Sequence, residues 1–281
     1  MTEIKNIGGF CDTDDTGYII NTACTRKISP AFHQVLNEMI QYYRMQLGKN
    51  LHSIYVRGSV PHGQAIYSVS DLDTLAIVNE EVDSMDLQWV EGIEQKINEK
   101  FPCINGVEFS FYLMEDVLET STFSIIPFML KTHSVCVYGE DLISLLPSYR
   151  ADKTLANHHL INLKNQVDQA KKDLDDNYDT EDILDCCSWI MKIIVRAGLT
   201  LVMVEEKRYT RDLYPAYKLF SQYYPEKEPE MKLALQYAIE PITDTEELLH
   251  FLEQTGTWII TEAEEWLEIY NPYRVSEMEL R

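Results

Sequence analysis

Positive charge is scarce in this sequence. Its 281 residues hold 24 Lys and Arg against 46 Asp and Glu, a formal net charge of −22. A protein that tracks duplex nucleic acid needs a basic footprint to neutralise phosphates, so nucleic acid is a disfavoured partner. Cysteine pairing is missing too. Cys11, Cys24, Cys103, Cys136, Cys186 and Cys187 form no C-x-x-C pair, and the adjacent Cys186 and Cys187 are poorly placed to bridge. The cysteines and histidines lack zinc-ligand spacing, so a structural zinc site is not expected. No apolar signal core opens the chain. The most apolar stretch, Trp189 to Val204, is interrupted by Lys192 and Arg196 and reads as too short to span a bilayer. A reduced, cytoplasmic protein without a membrane partner is expected. Repeats and low-complexity tracts are also absent.

What remains is an ordinary globular mix, 45% hydrophobic and 25% charged, at a length that suggests two domains. The first half alternates strand and helix patterns. Ser29-Pro30 suits a helix start, and Phe32, Val35, Leu36, Met39, Ile40 and Tyr43 recur at helical spacing up to Gly48. Ser53–Arg57 and Asp71–Val78 read as strands. Val90, Ile93, Ile97 and Phe101 mark a helix, and Val107, Phe109, Phe111 and Leu113 alternate with polar residues as in a half-buried strand. After Pro147 and the polar segment 148–154, helical patterns follow at about 153–177, 181–206, 228–240 and 244–270, the last with a Thr243/Glu246 capping box. The expected fold class is α+β: a mixed sheet with flanking helices over 1–147, then an α-helical bundle over 148–281.

The informative segment is Arg57-Gly58-Ser59, eleven residues, then Asp71-Leu72-Asp73. Alternate strand residues share a face about 6.6 Å apart, so Asp71 and Asp73 project together while Leu72 faces the core. Paired carboxylates repel, at about 4 kcal/mol for 4 Å and an effective dielectric of 20. A hard divalent cation such as Mg²⁺ reverses that sign. Glycine at a strand end admits close backbone approach. A helix starting at Ser59, with Pro61 in its first turn, would turn unpaired N–H groups towards phosphate.

At these residues the sequence resembles the polymerase-β-like nucleotidyltransferases, whose pattern is G-S, a spacer of this length, D-x-D or D-x-E, and a third acid on a later strand. Here that acid is Glu108. Within the superfamily the chain is most similar to aminoglycoside and related antibiotic adenylyltransferases, including the junction Val137-Tyr138-Gly139-Glu140-Asp141-Leu142 with Leu145-Leu146-Pro147. The resemblance spans about residues 50–147, and the helical half more loosely. It implies that Gly58 and Ser59 hold phosphates of ATP, and that Asp71 and Asp73 bind Mg²⁺, with two ions in all. Glu108 would complete the second metal site and act as general base. It also gives Arg211 a contact to the triphosphate. A small, cationic hydroxyl acceptor such as an aminoglycoside follows, and the acidic balance agrees weakly with it.

Other residues are open to plainer readings. Arg57, where the family often has an apolar or aromatic residue, suits either a phosphate contact or a strand-end ion pair. His62 reads as surface loop. Arg196 falls where the family carries a basic residue, but also suits pairing with a carboxylate. The stripe Tyr214, Tyr217, Phe220, Tyr223 and Tyr224 reads as helix packing, and Trp189, Trp258 and Trp266 as core. Two other functions stand beside small-molecule adenylylation: AMP transfer to a protein, and a non-catalytic, antitoxin-like nucleotide binder of the same fold. The Arg-x₄₋₆-His signature of a helical ribonuclease partner domain is absent from the helical half.

Overall fold

The computed structural model of the chain describes residues 6–280. They form two units: Ile19–Tyr149, and the segment up to Tyr18 together with the chain from Arg150 onward. The fold class is α+β, with a mixed sheet in the first unit and a helical second unit.

In the sheet unit, α1 (Pro30–Leu47) buries Phe32, Val35, Leu36, Met39 and Tyr43, spaced three and four apart along one face. Pro30 occupies its first turn, though Ser29 makes no side-chain cap bond. Then follow β1 (Leu51–Arg57), α2 (Ser59–His62), β2 (Leu72–Val78), α3 (Trp89–Lys100), β3 (Val107–Leu113), α4 (Met114–Leu118), α5 (Ile125–His133) and β4 (Val135–Gly139). The strand order is β3-β2-β1-β4. β1 is antiparallel to both β2 and β4, whereas β2 and β3 are parallel. A parallel pair needs a crossover, and α3 supplies it.

The sheet is covered on both faces. Ile54, Val56, Leu72, Ala76 and Phe109 belong to the core cluster shared with α1 and α3. The alternate residues Tyr55, Leu75 and Ile77 pack against Val117, Leu130, Leu142 and Leu146. Burial on both faces explains why β2 is nearly uninterrupted in apolar residues. Its one polar interior residue, Thr74, is fully buried and fully bonded. The Tyr43 hydroxyl lies 2.8 Å from Thr74 Oγ1, which donates to the Glu108 carbonyl at 2.8 Å.

The helical unit contains α6 (Lys153–Leu160), α7 (Leu163–Leu174), α8 (Thr180–Glu206), α9 (Leu213–Tyr223), α10 (Glu228–Ile239), α11 (Thr245–Phe251) and α12 (Thr257–Tyr270). A π-helical turn, Leu252–Gly256, joins the last two. Several expectations need correcting. The helix expected over 153–177 is two helices, broken after Leu160. The helix expected over 244–270 is α11 and α12, and α11 is capped by Asp244, which accepts from the Glu247 N–H at 3.0 Å, and not by Thr243. Helix α8 runs 27 residues and is long and apolar enough by length and composition to cross a membrane; 61% of its apolar window is buried inside the protein, as in a core helix. Trp189 on α8 is 41% exposed rather than core. Trp266 is buried, and Trp258 stacks edge-on against Phe220 and Tyr224. Tyr217 and Phe220 are buried by packing, while Tyr223 is exposed.

Gly139 ends β4 opposite Ser53 with φ +82°, and a Cβ there would stand 2.1 Å from the His52 carbonyl oxygen. Gly139→Ala is therefore expected to cost roughly 2–4 kcal/mol. A urea melt that shifts by less than about 0.5 kcal/mol would disprove this account of the β1–β4 edge.

Candidate active site

Strand register builds the site. Arg57 on β1 lies opposite Asp73 on β2, and Asp73 lies opposite Glu108 on β3. By alternation all three side chains share the face of Tyr55, Leu75 and Ile77, one position beyond that apolar cover. Arg57 Nη2 donates to both oxygens of Glu108, at 3.0 and 2.9 Å, and stands 4.0 Å from Asp73 Oδ1. Ser110 Oγ, two residues along the same face, donates to Glu108 Oε1 at 2.7 Å. The strand-end ion pair that Arg57 suits is formed. Asp71 precedes β2 and is exposed. Asn105 Nδ2 donates to its Oδ1 at 3.3 Å, and Gly106 leaves room for it, since a Cβ there would lie 3.3 Å from that oxygen.

The acids do not titrate alike. Burial pushes the Asp73 carboxyl above the usual carboxylate range, and Glu108 and Asp71 push further, against the pull of Arg57. Burial acts upward on Glu108 as well, but the Ser110 hydroxyl and the Arg57 guanidinium outweigh it and hold Glu108 low. Glu108 thus has its countercharge within the sheet, and Asp73 does not have enough.

Asp71 and Asp73 offer hard oxygen donors with surplus negative charge at Asp73, a set that fits a magnesium ion. Mg²⁺ is ordinarily held by one or two carboxylates, with water and substrate phosphates completing its octahedron. Among the described residues no three His, Cys, Asp or Glu side chains are grouped to hold an ion together. Glu108 is engaged by Arg57 instead.

Beside the acids lies the Gly58-Ser59 turn. Gly58 has φ +78°, and a Cβ on it would come within 2.5 Å of Asp73 Oδ2. Only glycine fits there on both counts. The single turn of α2 closes with the Gln64 N–H donating to the Ser59 carbonyl at 3.0 Å. The Cys24 N–H braces it by donating to the Pro61 carbonyl at 2.9 Å. His62 is partly buried and bonded through Nδ1 to Thr22 Oγ1 at 3.0 Å, so it braces this turn rather than lying free on the surface.

The helical unit holds a second polar cluster. It comprises Arg196 on α8, Arg211 before α9, and His158 and His159 on α6. None of the ion pairs among the described residues includes Arg196, and its Nε is buried with no hydrogen-bond partner. Asp212 is the carboxylate that acts on Arg196, without an ion pair among the described residues. Burial, then Arg211, pulls Arg196 down to about 10. Burial and the neighbouring cations likewise hold His158 below, and His159 well below, the ordinary imidazole value. Two acids lie nearby: Asp212, which accepts the Gly9 N–H at 2.9 Å and acts on Arg196, and Glu277, which acts on His158. The sequence reading missed His158 and His159; their spacing from Arg196 and Arg211 carries no motif.

No protein-family model matches the sequence, and no curated protein matches it. Among solved structures, the chain is similar to the spectinomycin adenyltransferase AAD(9) of Enterococcus faecialis, whose crystal structure contains ATP and spectinomycin. The identity is 17%, the match covers 83% of this chain and 99% of that one, and the TM-score is 0.47.

Both Asp73 and Arg196 should register in stability. The raised Asp73 carboxyl binds its proton more tightly in the folded state, so its penalty grows as pH rises through the carboxylate range and is complete above the raised value. Asp73→Asn should therefore stabilise the ligand-free protein by about 1 kcal/mol at pH 7.5 and by nothing near pH 3.5. Equal denaturation midpoints at pH 7.5 would refute the burial cost assigned to Asp73. Arg196→Met keeps the volume and removes a partly buried guanidinium that forms no ion pair and leaves Nε unbonded, so the ligand-free protein should gain about 1 kcal/mol. A loss of stability in that variant would mean that Arg196 has a compensating partner.

Proposed function

We propose that the protein is a Mg²⁺-dependent nucleotidyltransferase. It transfers AMP from ATP to a hydroxyl group of a small molecule, with a cationic, aminoglycoside-like compound as the favoured acceptor. The observation that carries this reading is the register of three strands. It sets Asp73 and Glu108 side by side and brings the Gly58-Ser59 turn against Asp73.

Each residue then has a role. Asp71 and Asp73 would hold Mg²⁺, which when bound neutralises charge on the triphosphate. The Ser59 hydroxyl and the first-turn N–H groups of α2, which have no acceptor within the helix, would cradle phosphate, and Gly58 admits the close approach. Glu108, kept ionised by Arg57 and Ser110, would take the acceptor's proton as general base. The acceptor oxygen forms a bond to the α-phosphorus, the bond from that phosphorus to the bridging oxygen breaks, and pyrophosphate leaves. Most of the acceleration would come from positioning and charge neutralisation. Arg211 is assigned to phosphate binding on the strength of the family resemblance. The net charge of −22 would draw a cationic acceptor.

One observation favours a second reading. The Arg57–Glu108 ion pair occupies the carboxylate proposed as base, as it would in a nucleotide binder without turnover. Incubation with labelled ATP, Mg²⁺ and a panel of aminoglycosides and lincosamides, read by mass, separates the two. An AMP adduct on an acceptor is the expected result. Metal-dependent Mg-ATP binding by calorimetry with no adduct on any acceptor would favour the binder. Asp73→Asn should abolish transfer, and Glu108→Gln should keep most Mg-ATP affinity while slowing transfer roughly 10²-fold or more. A Glu108→Gln rate within a few-fold of wild type would remove Glu108 from the chemistry.

A further inference from the structure

Arg57 is a permanent cation placed inside a row of acids. Its guanidinium cannot lose its proton in a protein, and strand pairing holds it opposite Asp73 and one strand away from Glu108. It is mostly covered, with 22% of its side chain exposed. A single nitrogen, Nη2, serves both Glu108 oxygens, while Nε is buried without a partner. An arginine selected only to tie two strands together would more economically present its fork, two nitrogens to two oxygens. Here the guanidinium is drawn to the space between the carboxylates instead. Ser110 takes another position on Glu108 Oε1. Asp71 and Asp73 have no cation as close: Asp71 takes a 3.3 Å amide bond from Asn105, and Asp73 meets the Glu108 carboxyl and the 4.0 Å approach of Arg57.

We propose that Arg57 stands in for a second divalent ion, so that the site takes one Mg²⁺, at Asp71 and Asp73, while Glu108 is oriented by the guanidinium and ligates no metal. This inference rests on the nucleotidyltransferase reading and departs from the two-ion site that the family resemblance implies. Arg57 acts through Glu108 and is a positioning residue. A cation built into the sheet needs no binding step, and it excludes another cation from the same space by like-charge repulsion.

The test counts ions. Mn²⁺ replaces Mg²⁺, and bound ions per chain are measured from the loss of the free Mn²⁺ electron-paramagnetic signal, using the full-length protein saturated with α,β-methylene-ATP, which cannot be cleaved at the reacting bond. One ion per chain is expected for wild type. Glu108→Gln should also bind one, with affinity within about threefold of wild type. Arg57→Met should bind two, and Arg57→Lys, which keeps the charge, should return to one and recover part of the transfer rate lost in Arg57→Met. Two ions in the wild type, a tenfold or greater loss of Mn²⁺ affinity in Glu108→Gln, or one ion in a folded Arg57→Met protein would each overturn the proposal. If Arg57→Met does not fold, the wild-type count and the Glu108→Gln affinity decide it. Absence of any bound ion would instead remove the nucleotidyltransferase reading, and this inference with it.

Discussion

The polar end of the sheet depends on how three strands are paired. Strand side chains alternate with a period of two, so a slip of one residue between β2 and β3 would send Glu108 to the opposite face and leave Asp73 beside an apolar neighbour. The register is fixed from below by Thr74. A hydroxyl buried in an apolar run costs several kcal/mol unless it is bonded, and in the observed register Thr74 satisfies itself between Tyr43 and the backbone carbonyl of Glu108. The same bond that makes the interior tolerable therefore positions the backbone of a site residue. Helix α1, through Tyr43, is part of the site's support although none of its residues reaches the acids.

Part of this was legible from residues alone, and the reason is periodicity. The alternation Val107, Phe109, Phe111 around Glu108 says that Glu108 leaves the α1–α3 face, and Asp71-Leu72-Asp73 says that two acids flank a core leucine. Gly58-Ser59 after a strand marks a close backbone approach, and a Cβ on Gly58 would indeed meet Asp73 Oδ2. Periodicity does not say which residues of different strands share a row. That Arg57 faces Asp73, and reaches across to Glu108, depends on long-range pairing, which no local pattern encodes. Strand β4 and helix α5 carry no legible pattern for a related reason: Ile125–His133 and Val135–Gly139 are short apolar stretches in which helix and strand periods cannot be told apart. The pattern puts Asp71 on a strand, but the strand begins one residue later, at Leu72.

The helical unit shows a different limit. Arg196 lies within an apolar helix of an acidic chain, and composition alone makes a carboxylate partner the natural expectation. With 46 acids available, that Arg196 forms no ion pair among the described residues becomes visible only in three dimensions. Its surroundings mix Arg211 with Asp212 and with two histidines that burial holds below the ordinary imidazole value. Net charge describes the surface and the solution behaviour of a protein; it does not report which charges meet at a particular site.

In the sheet unit, Asp73 sits among acids with too little positive charge, since most of what Arg57 supplies goes to Glu108. That deficit costs stability in the ligand-free protein, and folding does not explain it, because an uncharged residue of similar size would serve the sheet at least as well. A divalent cation at Asp71 and Asp73 would supply the charge that the sheet lacks. What a stability argument counts as a fault at Asp73 is thus the same feature that would make its carboxylate a ligand.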